Sequence, residues 1–204
     1  MKSHLPERLY LGSPVWLQNV LVSVYGALEH KRRYGGPHHE YLEHLRKNMT
    51  LSRQEIDNLQ SHLLREVLSD AAQYVPAYQT LDLGSSPTLE DFPLLERESI
   101  ATNPESFVSS RYDKNKLLTL FTGGSTANPL KVFITEEARQ KSYSFWQLFY
   151  DRMDFRVGDR KATFVGRKVQ NPDNQKPPFW RYNVKDRQLV FSSYHLSDEN
   201  LAAY

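Results

Sequence analysis

The run Thr122-Gly123-Gly124-Ser125-Thr126-Ala127-Asn128-Pro129-Leu130-Lys131 has the residue types that hold a phosphate chain. Two adjacent glycines let the backbone turn tightly and bring its amides close to an anion. Thr122, Ser125 and Thr126 add hydroxyl donors, and Lys131 supplies a nearby cation. Such a set grips a triphosphate or pyrophosphate; it does not move protons. A plain polar hairpin turn is the alternative that composition leaves open, because Gly, Ser, Thr, Asn and Pro are all common turn formers.

Three other phosphate or nucleophile motifs can be tested on spelling. A Walker A loop needs Gly-x-x-x-x-Gly-Lys-Ser/Thr leading into a helix, and the dinucleotide fingerprint needs Gly-x-Gly-x-x-Gly; neither occurs here. Gly123-Gly124-Ser125-Thr126-Ala127 comes within one residue of the Gly-x-Ser-x-Gly elbow of serine hydrolases. That elbow must pass from strand straight into helix to lift its serine. Here Asn128-Pro129 intervenes and residues 131–135 read as a strand, so a serine hydrolase is only a distant alternative.

The elements around the run set its geometry. Residues 117–121 and 131–135 are predicted as short strands flanking it. A helix over 136–153 follows, with Thr135 as N-cap and Ala138, Phe145, Phe149 and Met153 expected inward. Further strands are predicted over 161–165 and 188–192. Strands alternating with a long helix give an α/β fold with an incomplete, mostly parallel sheet. N-terminal to this, 14–33 reads as a helix with Leu17, Val20, Leu21, Val24 and Leu28 near one face and His30, Lys31, Arg32 and Arg33 in its last turn, before Gly35-Gly36-Pro37. Packing on the domain is the expected role of its apolar face; contact with a membrane interface is the alternative. Ser52 and Glu55 spell a capping box for a helix bearing Ile56, Leu59, Leu63, Val67, Ala71 and Tyr74, which should stop before Pro76. The chain thus divides into a helical region, 1–80, and an α/β segment, 81–204, that bears the phosphate-binding run. Within the latter, 81–104 is an ordered, turn-rich connector.

Bulk properties narrow the function classes. With 204 residues, 39% hydrophobic and 25% charged, the chain is in the globular range, enough for one core. Its net charge of +2 is small and its charges alternate, which does not call for a nucleic-acid partner. Having no cysteine, it has no disulfide, thiolate metal site or thiol nucleophile. No secretory signal is apparent, and the apolar stretch 15–28 is broken by Gln18, Asn19 and Ser23, too short and polar to span a bilayer of ~30 Å. A cytoplasmic protein is expected.

Several other residues invite a site reading and have a plainer one. His39 and His44 lie five positions apart, about 140° around a helix, which does not suit a shared metal ion; with His38 they are expected on the surface. Phe145, Trp146 and Phe149 could line an aromatic acyl pocket, but at helical spacing they read first as core. The basic, aromatic stretch 176–182 could meet a nucleic acid strand or a glycan, or simply lead into a strand after Pro177-Pro178.

The ten-residue run resembles the phosphate-binding motif of the adenylate-forming superfamily, commonly Ser/Thr-Ser/Gly-Gly-Ser/Thr-Thr/Ser-Gly-x-Pro. Other stretches look like the branch containing phenylacetate-CoA ligase, coenzyme F390 synthetase and the CapK-like proteins of capsular polysaccharide loci. These are Leu5-Pro6 with Val15-Trp16-Leu17-Gln18-Asn19, Tyr74-Val75-Pro76-Ala77-Tyr78, Phe92-Pro93-Leu94-Leu95-Glu96-Arg97-Glu98-Ser99-Ile100, Tyr194-His195-Leu196-Ser197 and residues 201–204. The resemblance extends over nearly the whole chain, although only the run is specific by itself. Ala127 departs from it, standing where the family usually has glycine.

The resemblance implies an enzyme that activates a small-molecule carboxylic acid with ATP and Mg²⁺ to an acyl-adenylate, in a polysaccharide pathway. It assigns the ATP phosphates to Thr122, Gly123, Gly124, Ser125 and Thr126, with Lys131 beside them, and gives no metal-coordinating residue in this chain. It also implies that the chain matches an N-terminal portion, since family members continue into magnesium- and lysine-bearing segments without a counterpart here. A non-catalytic nucleotide-binding module or a truncated remnant is the alternative.

Overall fold

The computed structural model describes residues 5–123 and 129–204, with side-chain surroundings from Glu7 onward. Four helices come first: α1 (Leu5–Gly12), α2 (Val15–Tyr34), α3 (His38–Asn48) and α4 (Arg53–Tyr74). Pro14 precedes α2 in an extended conformation, and its carbonyl accepts the first bonds of the helix from the Leu17 and Gln18 amides. Gly36, at φ 52°, turns the chain out of α2 toward α3. The capping box of α4 is formed: Ser52 Oγ accepts from the Glu55 amide, and Glu55 Oε2 accepts from the Ser52 amide at 2.7 Å. Val75, held extended before Pro76, ends the helix.

After the connector and the short α5 (Arg97–Thr102) come β1 (Leu118–Phe121), β2 (Lys131–Ile134), α6 (Glu136–Asp151), β3 (Lys161–Val165), β4 (Trp180–Asn183) and β5 (Gln188–Ser192). The fold is α/β. Its sheets are a β1–β2 antiparallel pair and a three-stranded sheet of order β3-β5-β4, in which β3 runs parallel and β4 antiparallel to β5. Connection length explains why parallel pairing does not dominate. The segments joining β1 to β2 and β4 to β5 are shorter than the dozen or so residues that a parallel crossover needs, so each makes a hairpin.

The chain forms two compact units, Met1–His39 with Tyr143–Tyr204, and Glu40–Ser142. In the first, Val169, Phe179, Val190 and Phe191 are buried, and Tyr204 stacks on Phe164, Phe179 and Phe191 at centroid distances of 5.4 to 6.2 Å. In the second, Leu42, Leu45, Leu68 and Val108 are buried.

The helix faces differ from expectation. On α2 the buried residues are Gln18, Gly26 and Glu29, whereas Val20, Leu21, Val24 and Leu28 are 41 to 56% exposed. The reason lies in β4, an edge strand whose outward backbone groups need partners. The Tyr182 amide donates to Asn19 Oδ1 at 2.9 Å, the Val184 amide donates to Ser23 Oγ at 3.1 Å, and Ser23 Oγ also reaches the Tyr182 carbonyl at 3.2 Å. Helix α2 therefore turns its polar stripe inward to close the sheet edge. Gly26 permits the approach, since a Cβ there would collide with the Asn183 amide. On α6, which ends at Asp151 rather than 153, Gln140, Ser144 and Gln147 are buried while Phe145 and Phe149, like Met153 just beyond it, are about half exposed, reversing the expected face. Ser144 Oγ donates to the His38 carbonyl at 2.8 Å.

Candidate functional site

Strands β1 and β2 pair from Leu118↔Ile134 to Phe121↔Lys131, so the glycine-rich run is the connection of an antiparallel hairpin. At its neck the Thr122 amide donates to the Leu130 carbonyl at 3.0 Å, and the Leu130 amide donates to Thr122 Oγ1 at 3.0 Å. The Thr122 hydroxyl is thereby an acceptor, and among the described residues its own proton has no acceptor. Gly123 follows, exposed, with open space where a Cβ would stand and, among the described residues, no partner for its amide. Gly124, Ser125 and Thr126 lie outside the described residues.

Lys131 stands at the loop end of the hairpin, paired with Phe121. Its ammonium is 3.7 Å from Glu105 Oε1 and 4.6 Å from the centroid of the Phe133 ring. Glu105 also meets Lys114 at 3.4 Å, so one carboxylate lies between two cations and the group keeps positive charge. All three side chains are more than a third exposed, and such pairs hold their partners weakly.

Beside the hairpin is an apolar cleft of ≈ 450 Å³, lined in part by Ile100, Phe107, Val108, Tyr112 and Phe133, with Lys131 as its cation. Its size and lining suit a small organic molecule with one charged end. Thr122, Gly123 and Lys131 are thus brought to one end of one hairpin, and of the three Lys131 lines the cavity. Phe145, Trp146 and Phe149 do not line that cavity.

Two rival chemistries find no support in the geometry. The segment after the run is strand β2 and not a helix, so no nucleophile elbow is built. Ser192 and His195 do form a close pair, Oγ to Nδ1 at 2.7 Å, but they are 0 and 2% exposed, beyond the reach of a substrate. His195 Nε2 lies 3.3 Å from the Asn171 carbonyl, to which it donates, which leaves Nδ1 to accept from the serine. His39 and His44 are exposed, whereas His38, expected on the surface, is buried, and burial lowers its pKa below the ordinary histidine value. No group of three or more metal-ligating side chains occurs among the described residues.

A second set of polar residues escaped the sequence reading. Arg181, 1% exposed, donates to Gln18 Oε1 at 2.5 Å, to the Pro178 and Trp180 carbonyls, and to Gln170 Oε1 at 3.2 Å. Burial pushes its pKa below the arginine range. His30 Nδ1 is 2.7 Å from Asp186 Oδ1, and Asp186 Oδ2 accepts from Asn183 Nδ2 at 2.9 Å. These residues join α2 to the β4 edge; only the approach of that edge explains them, and periodicity gives no sign of it.

The chain is similar to Protein CapK of Staphylococcus aureus. The two are 25% identical over 201 residues, which cover 96% of this chain and 44% of that protein. The chain therefore spans less than half the length of that curated relative. No protein-family model matches the chain, and no solved structure matches it. The similarity to CapK extends over both compact units, as the resemblance in the sequence implied.

Proposed function

We propose that this chain is part of a CapK-like adenylate-forming enzyme, in which the β1–β2 hairpin holds the β and γ phosphates of ATP while a carboxylic acid is activated. The observation that supports this reading most is the hairpin neck: Thr122, whose hydroxyl proton has no acceptor among the described residues, stands at the loop end of the strands with Lys131, which lines an apolar cleft. In the reaction a carboxylate oxygen attacks the α phosphorus, the bond from that phosphorus to the bridging oxygen breaks, and pyrophosphate leaves as the acyl-adenylate forms. Charge on the leaving group rises as that bond lengthens. Fixed amides, hydroxyls and the Lys131 ammonium would stabilise it there, an electrostatic contribution that needs no proton transfer.

Thr122, Gly123, Lys131 and, by their sequence, Gly124, Ser125 and Thr126 supply donors suited to polyphosphate. Mg²⁺ would supply further neutralisation of the phosphates, but the described residues offer it no dedicated site. Glu105, the carboxylate next to Lys131, already meets two ammonium groups. Dependence on ATP places this chemistry in the cytoplasm, with the activated acyl group passed on within capsular polysaccharide assembly.

The test is exchange of radiolabelled pyrophosphate into ATP by the complete gene product, with a panel of aromatic and aliphatic carboxylic acids. Exchange that depends on one class of acid is expected. Absence of exchange with every acid, in a folded protein, overturns the reading.

A further inference from the structure

Helix α2 is amphipathic in the reverse sense for a packed helix. Its polar stripe is committed to the β4 edge, and what remains outward is Trp16, Val20, Val24 and Leu28, one residue per turn, at 50 to 67% exposed. Leu21 and Tyr25 flank this stripe and are themselves 41 and 53% exposed. No charged residue interrupts it, and its single acidic neighbour on the helix, Glu29, is buried. A contiguous exposed apolar surface of this kind marks a docking face.

Charge identifies what docks. Lys31 and Arg32 follow Leu28 by three and four residues and so continue the same face. Arg167 and Lys168 stand at a neighbouring cleft of ≈ 330 Å³, which shares Leu21 and Tyr25 with the stripe and is otherwise largely apolar. Glu29 pairs with Arg32 at 3.2 Å and Glu7 with Lys168 at 2.9 Å. Lys31 and Arg167 have no ion-pair partner among the described residues. The border of the stripe is therefore positive, and a surface offering hydrocarbon next to anionic groups is its complement. No helix among the described residues is long and apolar enough to cross a membrane, so the contact is one of lying on the surface.

We propose that the outward face of α2 docks on an anionic lipid bilayer, with the Trp16–Val20–Val24–Leu28 stripe in the interfacial layer and Lys31, Arg32, Arg167 and Lys168 among the headgroups. The adjoining cleft then receives part of a lipid, its acyl portion against Val169 and Val190 and its anionic headgroup by Arg167 and Lys168. This does not depend on adenylate formation, and its failure would leave that reading intact.

The test is flotation of the chain with vesicles of pure phosphatidylcholine and with vesicles of equal parts phosphatidylcholine and phosphatidylglycerol. Binding to the mixed vesicles alone, and release by salt, are expected. The double variant Val20→Glu/Val24→Glu alters only outward side chains; it should melt as the parent does and partition roughly tenfold more weakly or less. Lys31→Ser and Arg167→Ser should each weaken partitioning roughly fivefold. A parent protein that does not float, or variants that float as the parent does, overturn the proposal. So does a dimer that the double variant splits in the absence of any vesicle binding, which would assign the face to a second copy.

Discussion

Replacing Gln18 with methionine probes the joint between α2 and the sheet. Methionine keeps the length and shape of the side chain and removes its amide. Gln18 Oε1 takes the Arg181 Nε proton at 2.5 Å, while Nε2 donates to the Tyr10 and Ser13 carbonyls at 3.0 and 2.8 Å, closing the end of α1. Arg181 is 1% exposed and its other acceptors are all neutral, so no carboxylate compensates for the lost bond. A hydrogen bond to a buried charge contributes about 1.5–3 kcal/mol, and the two carbonyls, which water can partly reach, add about 1 kcal/mol. The expected loss is about 3 kcal/mol, or about 6–12 °C in Tm for a chain of this size. Gln18→Glu restores an acceptor and a counter-charge for Arg181 but loses both donors, and should fall between the parent and Gln18→Met. Thermal and urea unfolding followed by circular dichroism measure both. A Gln18→Met variant within about 0.5 kcal/mol of the parent, the size of an ordinary surface change, refutes the idea that Gln18 sustains the buried cation.

Gly26→Ala sets helix propensity against space. Alanine gains about 1 kcal/mol in a helix interior, whereas the new Cβ meets the buried Asn183 amide, itself held to Asp186 at 2.9 Å, at an overpacking cost of about 1–3 kcal/mol. Net destabilisation is expected in urea unfolding, and a more stable variant would show that Asn183 yields. His38 gives a pH signature: burial, chiefly, holds its folded pKa below the ordinary 6.5, so the unfolded chain takes up the proton first as pH falls. Its contribution to stability is full above pH 6.5 and is lost as pH drops through the depressed folded value. His38→Gln should flatten the acid side of the stability profile, and an unchanged profile would contradict this. Ser52→Ala removes the hydroxyl and geometry that, with the Ser52 amide, lower the Glu55 pKa. That stabilisation is present above the ordinary glutamate value and lost as pH falls through the lowered folded value, while the bond from the Glu55 amide to Ser52 Oγ does not titrate; in urea unfolding the variant should lose stability at neutral pH and a smaller part of it in acid.

Much of the fold could be read directly from local chemistry. The α4 cap, strands β3 and β5, and the hairpin around the glycine-rich run each depend on residues close in sequence, and they form where capping, alternation and turn chemistry put them. What could not be read is which face of a helix turns inward. Hydrophobic periodicity in α2 and α6 locates a stripe but assumes that the apolar side is buried, and for α2 the assumption fails because β4 is an open edge needing hydrogen bonds. That edge belongs to the local β4–β5 hairpin, which lies far along the sequence from α2, so nothing near α2 announces it. The burial of His38 and the partners of Arg181 are products of the same long-range assembly. Within the candidate site, the clustering of Thr122 and Lys131 was legible, since both belong to one hairpin. The Glu105 contact and the adjoining cleft were not, because they bring in residues from α5 and from the segment between α5 and β1.

Isothermal titration of the chain with ATP and with inorganic tripolyphosphate tests the proposed phosphate-binding role of the hairpin most directly. Saturable binding of both at a single site is expected, weakened roughly tenfold in Lys131→Ala and lost in Ser125→Ala/Thr126→Ala, with melting behaviour unchanged. No heat of binding in the parent, or binding indifferent to all three of these side chains, would contradict it.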